Sequence, residues 1–128
     1  MRRSNISGNR REYILKDLSF SYDRLNDLLY IYKKDSNVYS NVIIGEFHLE
    51  FDKAGELVGV EILKASEILK EYSISKKLLE NIKKTELKVV ITNNSLLVFL
   101  VIQSLDQEKS ATITMNNLES HALETAIV

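Results

Sequence analysis

The 128-residue sequence contains no cysteine and no proline, and it contains only four glycines. The absence of cysteine excludes disulfides and thiolate metal sites, and it fits a cytoplasmic protein. Because proline is missing, Asn, Asp and the glycines must form the turns. The glycines stand at positions 8, 45, 55 and 59, so they form neither a P-loop nor a dinucleotide-binding Gly-x-Gly-x-x-Gly pattern.

Long apolar segments are absent as well. No stretch approaches the ~20 apolar residues of a membrane helix, and the N-terminus lacks the apolar region of a secretory signal. Hydrophobic residues make up 45% and charged residues 27% of the chain, a balance typical of a globular domain that buries its own core. We therefore expect one α+β domain over residues 13–128. The many lysines and glutamates are also compatible with a heat-adapted source.

Positive charge is concentrated at the N-terminus. Four of the five arginines, Arg2, Arg3, Arg10 and Arg11, lie in the first twelve residues, where they face one glutamate and give a net charge of +3. The remaining residues carry a net charge of −4, from thirteen basic and seventeen acidic side chains. Residues 1–12 are therefore predicted to be a basic, disordered arm that could bind RNA or DNA through these arginines. A frayed, solvated terminus explains the same pattern, because the acidic body offers no basic face to continue the contact.

Alternation of apolar and polar residues predicts a single antiparallel sheet of about six or seven strands. The predicted strands are residues 18–23, 28–33, 42–52, 57–63, 86–92, 96–102 and 110–115. Helical spacing of apolar residues within 66–84 predicts one or two helices packed on one face of this sheet. The pattern from Asn116 to Glu119 predicts the capping box of a short final helix.

Residues 96–102, Leu-Leu-Val-Phe-Leu-Val-Ile, are apolar on both faces of a strand. Burying each such side chain contributes ~1.5–3 kcal/mol, so both faces need a cover. The mid-chain helices supply one cover, and a second copy of the protein is predicted to supply the other. The predicted interface residues are Leu96, Val98, Leu100, Ile102, Tyr30 and Tyr32. The alternative is a sheet curled on itself, with the C-terminal segment as its lid.

Glu46, His48 and Glu50 alternate along one predicted strand and share a face. An imidazole between two carboxylates suits zinc or manganese, so this face is a candidate site for a divalent metal or a small ligand. The solvent face of an ordinary strand has the same composition. Only two histidines exist, and neither lies near a nucleophile elbow, so no catalytic residue and no cofactor is predicted.

One part of the chain resembles a known family. The residues that carry the resemblance are Tyr22-Asp23, Asp27, Leu29-Tyr30-Ile31, the stretch 51–63 and Ala65-Ser66. Over residues 22–66 they are similar to the domain of unknown function 2283 family. The resemblance implies a short sheet-and-helix protein of prokaryotes without established activity, whose gene neighbours include small toxin-like proteins. It does not extend beyond Ser66.

Together these observations predict a non-enzymatic interaction module. We expect it to work as a homodimer or bound to a small partner protein, without contact to a membrane. Metal or ligand binding on the Glu46/His48/Glu50 face is the first alternative. Nucleic-acid binding through the N-terminal arginines is the second.

Overall fold

A computed structural model describes residues 10–116 of the chain. These residues form nine strands and two short α-helices. The strands are β1 (Arg11–Leu15), β2 (Ser19–Asp23), β3 (Leu28–Tyr32), β4 (Ser40–Ile44), β5 (Phe47–Phe51), β6 (Leu57–Leu63), β7 (Lys84–Ile91), β8 (Leu96–Gln103) and β9 (Glu108–Met115). The helices are α1 (Ala65–Leu69) and α2 (Lys76–Leu79), with a single 3₁₀ turn at Lys70–Tyr72 between them. The predicted C-terminal helix lies outside the described residues.

The strands form two sheets rather than one. The four-stranded sheet has the order β1-β7-β8-β9, and the five-stranded sheet has the order β2-β3-β6-β5-β4. All neighbouring strands are antiparallel. The prediction of a single sheet of six or seven strands with helices packed on one face is therefore wrong, because the described chain is mostly strand and divides its strands between two sheets.

Two local differences from the predicted strands explain why nine strands are found and not seven. β1 begins at Arg11, inside the segment predicted to be a disordered arm. Residues 42–52 were predicted as one strand, but Gly45 adopts a φ of +58° and reverses the chain between β4 and β5. The third difference is helical. Residues 66–84 contain only short helical pieces, because Ser73 takes a left-handed conformation after the 3₁₀ turn and β7 begins at Lys84.

One predicted strand is confirmed residue for residue. β6 has the predicted bounds of 57–63. Gly55 takes a φ of +83° in the turn after β5, where its N–H donates to the carbonyl of Asp52 at 3.0 Å. Asp52 also accepts the backbone N–H of Ala54 through its carboxylate, at 2.9 Å. Glycine suits this position because left-handed φ is costly for other residues.

The inner faces of the two sheets contribute to one buried core. Tyr13 of β1 packs edge-on against Phe51 of β5, with ring centroids 5.9 Å apart, and so links the two sheets. Leu69 and Leu79 from the helices join the same core. The second sheet of the same chain therefore covers one face of the 96–102 run, which the sequence had assigned to helices or a second copy. No helix within residues 10–116 is long and apolar enough to cross a membrane.

Candidate functional site on the outer faces of the two sheets

The predicted interface residues of β8 lie inside the protein. Leu96, Val98, Leu100 and Ile102 are all 0% exposed, between the two sheets. A second chain could not contact them without opening the core. The sequence contains an indication of which face of β8 is buried. Gln103 ends the strand and shares its face with Leu97, Phe99 and Val101, so that face is expected to lie outside.

The outer face of the four-stranded sheet carries an apolar band. We name this set the outer band; its members are Ile14, Val90, Leu97, Phe99 and Val101. The strand register places Ile14 and Phe99 on either side of Lys88, and Val90 directly opposite Leu97. Three members from β8 are half-buried, and Ile14 is 65% exposed. A shallow depression of 140 Å³ lies beside Ile14 and Phe99.

Charged residues lie beside and within the outer band. The Nζ atom of Lys88 lies 3.8 Å from Oε1 of Glu12. Arg10 donates to the other oxygen of Glu12, with Nη2 at 2.7 Å. This hydrogen bond is the main reason that the pKa of Glu12 lies below its ordinary value. The outer band therefore consists of apolar side chains interrupted by Lys88, with a charged rim at Arg10 and Glu12; polar rims are typical of protein interfaces.

Two of the four N-terminal arginines, Arg10 and Arg11, are among the described residues. Arg2 and Arg3 lie outside the described residues. Arg10 is engaged by Glu12 as described, and Arg11 is the first residue of β1. Arg10 is therefore partly neutralised within the chain, which leaves less positive charge for contact with a phosphate backbone.

The predicted metal-binding residues do not converge. Glu46 lies in the turn before β5, while His48 and Glu50 lie on the outer face of the five-stranded sheet. Nδ1 of His48 is 3.3 Å from Oε1 of Glu61 on β6. Glu50 instead accepts a hydrogen bond from the Tyr30 hydroxyl, with 2.5 Å between the hydroxyl oxygen and Oε1. Within residues 10–116 no group of three or more His, Asp or Glu side chains is arranged to hold a metal ion.

Gly59 allows the contact between Tyr30 and Glu50. A Cβ atom at Gly59 would lie 2.5 Å from Oε1 of Glu50 and 3.3 Å from Cε1 of Tyr30, so a side chain there would displace the pair. A glycine inside a strand is typical of such close approaches. Tyr30 also stacks on Tyr32, with ring centroids 4.6 Å apart. Burial, followed by the bond to Glu50, raises the pKa of Tyr30, so its hydroxyl stays a donor.

Asp27 joins the turn between β2 and β3 to the start of helix α1. Its carboxylate accepts the Tyr22 hydroxyl at 2.5 Å, the Ser66 backbone N–H at 3.0 Å and the Ser66 hydroxyl at 2.7 Å. Burial alone would raise the pKa of Asp27, but these hydrogen bonds outweigh it and the pKa is lowered. We name Tyr22, Asp27 and Ser66 the Asp27 clasp. The sequence does not predict this contact, because Asp27 and Ser66 are 39 positions apart.

Comparison with known proteins places the resemblance on one sheet. Residues 19–66 match the family described as "Protein of unknown function (DUF2283)", and the remainder is not matched by a family. Uncharacterized protein MJ0789 of Methanocaldococcus jannaschii is 31% identical over 65 residues. That match covers 49% of this chain and 56% of the relative, so the chain spans little more than half of the relative's length. No solved structure matches the chain. The matched residues contain all five strands of the five-stranded sheet and the whole Asp27 clasp.

Proposed function

We propose that this protein is a non-enzymatic interaction module that binds a partner protein on the outer band. The observation that carries the proposal is that the apolar side chains of the band face outward although the core already covers the other side of β8. A sheet face in contact with water alone is expected to be polar. A contiguous apolar patch on such a face is typical of an interaction site.

The shape of the band supports a definite kind of partner. The depression beside Ile14 and Phe99 has a volume of 140 Å³, which is enough for one apolar side chain. Interfaces commonly centre on one anchor residue seated in such a pocket, with charged residues at the rim. We expect a small protein that inserts one leucine, isoleucine or phenylalanine beside Phe99, with its own charges facing Glu12 and Lys88.

The non-enzymatic part of the proposal is supported by polar side chains that hydrogen-bond to groups within the chain. The Asp27 clasp satisfies its carboxylate, hydroxyls and amide internally. Tyr30 and Glu50 likewise bond to one another. Such pairs stabilise the sheet, and a catalytic group must instead reach a reacting atom.

The test compares binding by the wild-type chain and by Phe99→Lys. Proteins captured from the source organism on the immobilised chain are identified and purified, and their dissociation constants are measured by calorimetry. Phe99→Lys places a charge in the centre of the band, so we expect affinity to fall by more than about tenfold. Leu25→Lys, at a turn residue that is 94% exposed, is the matched control and should bind as the wild type does. Equal affinity of Phe99→Lys and the wild type for every purified protein would refute the proposal.

A further inference from the structure

β4 is an edge strand of the five-stranded sheet. Within residues 10–116, β4 pairs with β5 on one side and with no strand on the other. Alternate residues of an antiparallel edge strand direct their N–H and C=O groups away from the sheet. The natural complement of such a row of donors and acceptors is another extended strand.

This edge lacks the protection that the other edges have. Residues 36–44, Ser-Asn-Val-Tyr-Ser-Asn-Val-Ile-Ile, contain no charged residue, and the chain has no proline. The charged residues on the other three edges are Arg11 and Glu12 in β1, Asp23 in β2, and Glu108 and Lys109 in β9. On β9 the hydroxyl of Tyr72 also occupies the backbone carbonyl of Thr112, at 2.6 Å. Charges and covers of this kind prevent strands from pairing between molecules, so β4 is the edge left open to pairing.

Exposed apolar side chains are concentrated at the same edge. Val38 is 46% exposed, Tyr39 is 70% exposed and Ile43 is 62% exposed. They are three of the six large apolar side chains that are exposed in the described part of the chain. A strand added at β4 would cover part of this surface as well as the backbone groups.

We infer that β4 pairs antiparallel with β4 of a second copy, so that the two five-stranded sheets join into one continuous sheet. A strand that pairs with its own copy about a two-fold axis makes every contact twice. A charged residue at the axis would face its own copy, and like charges across a strand pair are destabilising. An uncharged segment avoids this cost, which is why residues 36–44 suit a second copy better than a charged partner peptide. The inference does not depend on the outer band, which lies on the other sheet.

The first test is the mass of the full chain by light scattering at about 100 μM, a concentration that reveals a micromolar dimer. We expect twice the chain mass of 14.7 kDa. Ile43→Lys should weaken the dimer by more than about tenfold, because it places one lysine from each copy within a paired segment of only five residues. Ile14→Lys is the matched control, at a residue that is 65% exposed on β1 of the other sheet, and it should leave the mass unchanged. A monomeric wild type, or a dimer dissociated by Ile14→Lys and not by Ile43→Lys, overturns the inference.

A cross-linking measurement tests the same pairing without depending on the lysine variant, which could misfold. The chain has no cysteine, so one introduced thiol is unique. Residues opposite one another in an antiparallel pair have Cα atoms about 4.5–5.5 Å apart, which a disulfide can span. We expect one of Asn41→Cys, Val42→Cys and Ile43→Cys to form a covalent dimer on mild oxidation, and Ile14→Cys to remain monomeric. Cross-linking of none of the three, or of Ile14→Cys in their place, contradicts β4 pairing.

Discussion

The two sheets share one core but differ on their outer faces. The outer face of the five-stranded sheet is largely polar, with Ile43 exposed at its β4 edge, and its polar side chains bond to one another, as in the pairs Tyr30–Glu50 and His48–Glu61. The outer face of the four-stranded sheet carries the apolar outer band. The inner faces are alike because both are buried against each other. The outer faces are not constrained by that packing, so their difference points to different uses.

β3 and β8 show how the difference arises. Both strands have large side chains on both faces. On β3 the outward residues are Leu28, Tyr30 and Tyr32, and the two tyrosines have hydroxyls that can meet polar groups or water. On β8 the outward residues include Leu97 and Phe99, which have no polar atom to offer. The five-stranded sheet can therefore face water with its polar groups satisfied, whereas β8 gains free energy when another surface covers it.

The largest effect should come from the buried side of β8. Leu100 is 0% exposed, so Leu100→Ala is expected to lower the free energy of unfolding by about 2–5 kcal/mol through lost burial and a residual cavity. Leu97→Ala, on the half-buried outer face of the same strand, should cost about 1 kcal/mol. Urea unfolding monitored by circular dichroism measures both. Equal losses would show that the two sides of β8 are covered equally and would remove the contrast between inner face and outer band.

The Asp27 clasp should come next. Asp27→Asn keeps the shape of the side chain but directs an NH₂ group towards donors, so we expect a loss of about 2 kcal/mol at neutral pH. Ser66→Ala removes one hydroxyl from the clasp and should cost less. Urea unfolding compares the two variants with the wild type. An unchanged stability of Asp27→Asn would mean that the clasp follows the fold of the five-stranded sheet without supporting it.

Acid should remove the contribution of the clasp. The folded-state pKa of Asp27 is lower than that of the unfolded chain, which is about 3.9. The ionised carboxylate therefore stabilises the fold above that pH, and its contribution is lost as pH falls through the folded-state pKa. The difference in unfolding free energy between the wild type and Asp27→Asn should be constant above about pH 5 and shrink below about pH 4. A difference that grows on acidification would reverse the sign of the assigned shift.

Much of the strand pattern was predictable, and the pairing of the sheets was not. The predicted strands 18–23, 28–33 and 57–63 match β2, β3 and β6 closely, and on β3 buried and half-buried residues alternate. Alternation is local, however, and it does not say which hairpins join the same sheet. The Asp27 clasp was not predictable for the same reason: Asp27 and Ser66 are 39 positions apart, and only the fold brings them together.

The hydrogen bond across Gly59 should have a smaller effect. Tyr30→Phe removes the donor to Glu50 and is expected to cost about 1 kcal/mol. Tyr32→Phe is the matched control on the same face and should cost little, since no hydrogen bond of the Tyr32 hydroxyl is found within residues 10–116. Thermal unfolding of the two variants is a direct comparison. Equal costs would mean that the stacked rings, and not the Tyr30–Glu50 bond, stabilise this polar face.

The smallest effect should come from the charged rim of the outer band. Glu12 interacts with Arg10 at 2.7 Å and with Lys88 at 3.8 Å, but all three side chains are partly open to solvent. Exposed ion pairs contribute little, so Glu12→Gln should change the free energy of unfolding by less than about 0.5 kcal/mol. Salt at about 1 M should remove the difference, because the screening length falls to about 3 Å. A loss well above 1 kcal/mol that persists in salt would show that Glu12 stabilises the four-stranded sheet itself. Its role would then resemble that of Asp27 in the five-stranded sheet, and Glu12 would not be a rim residue available to a partner.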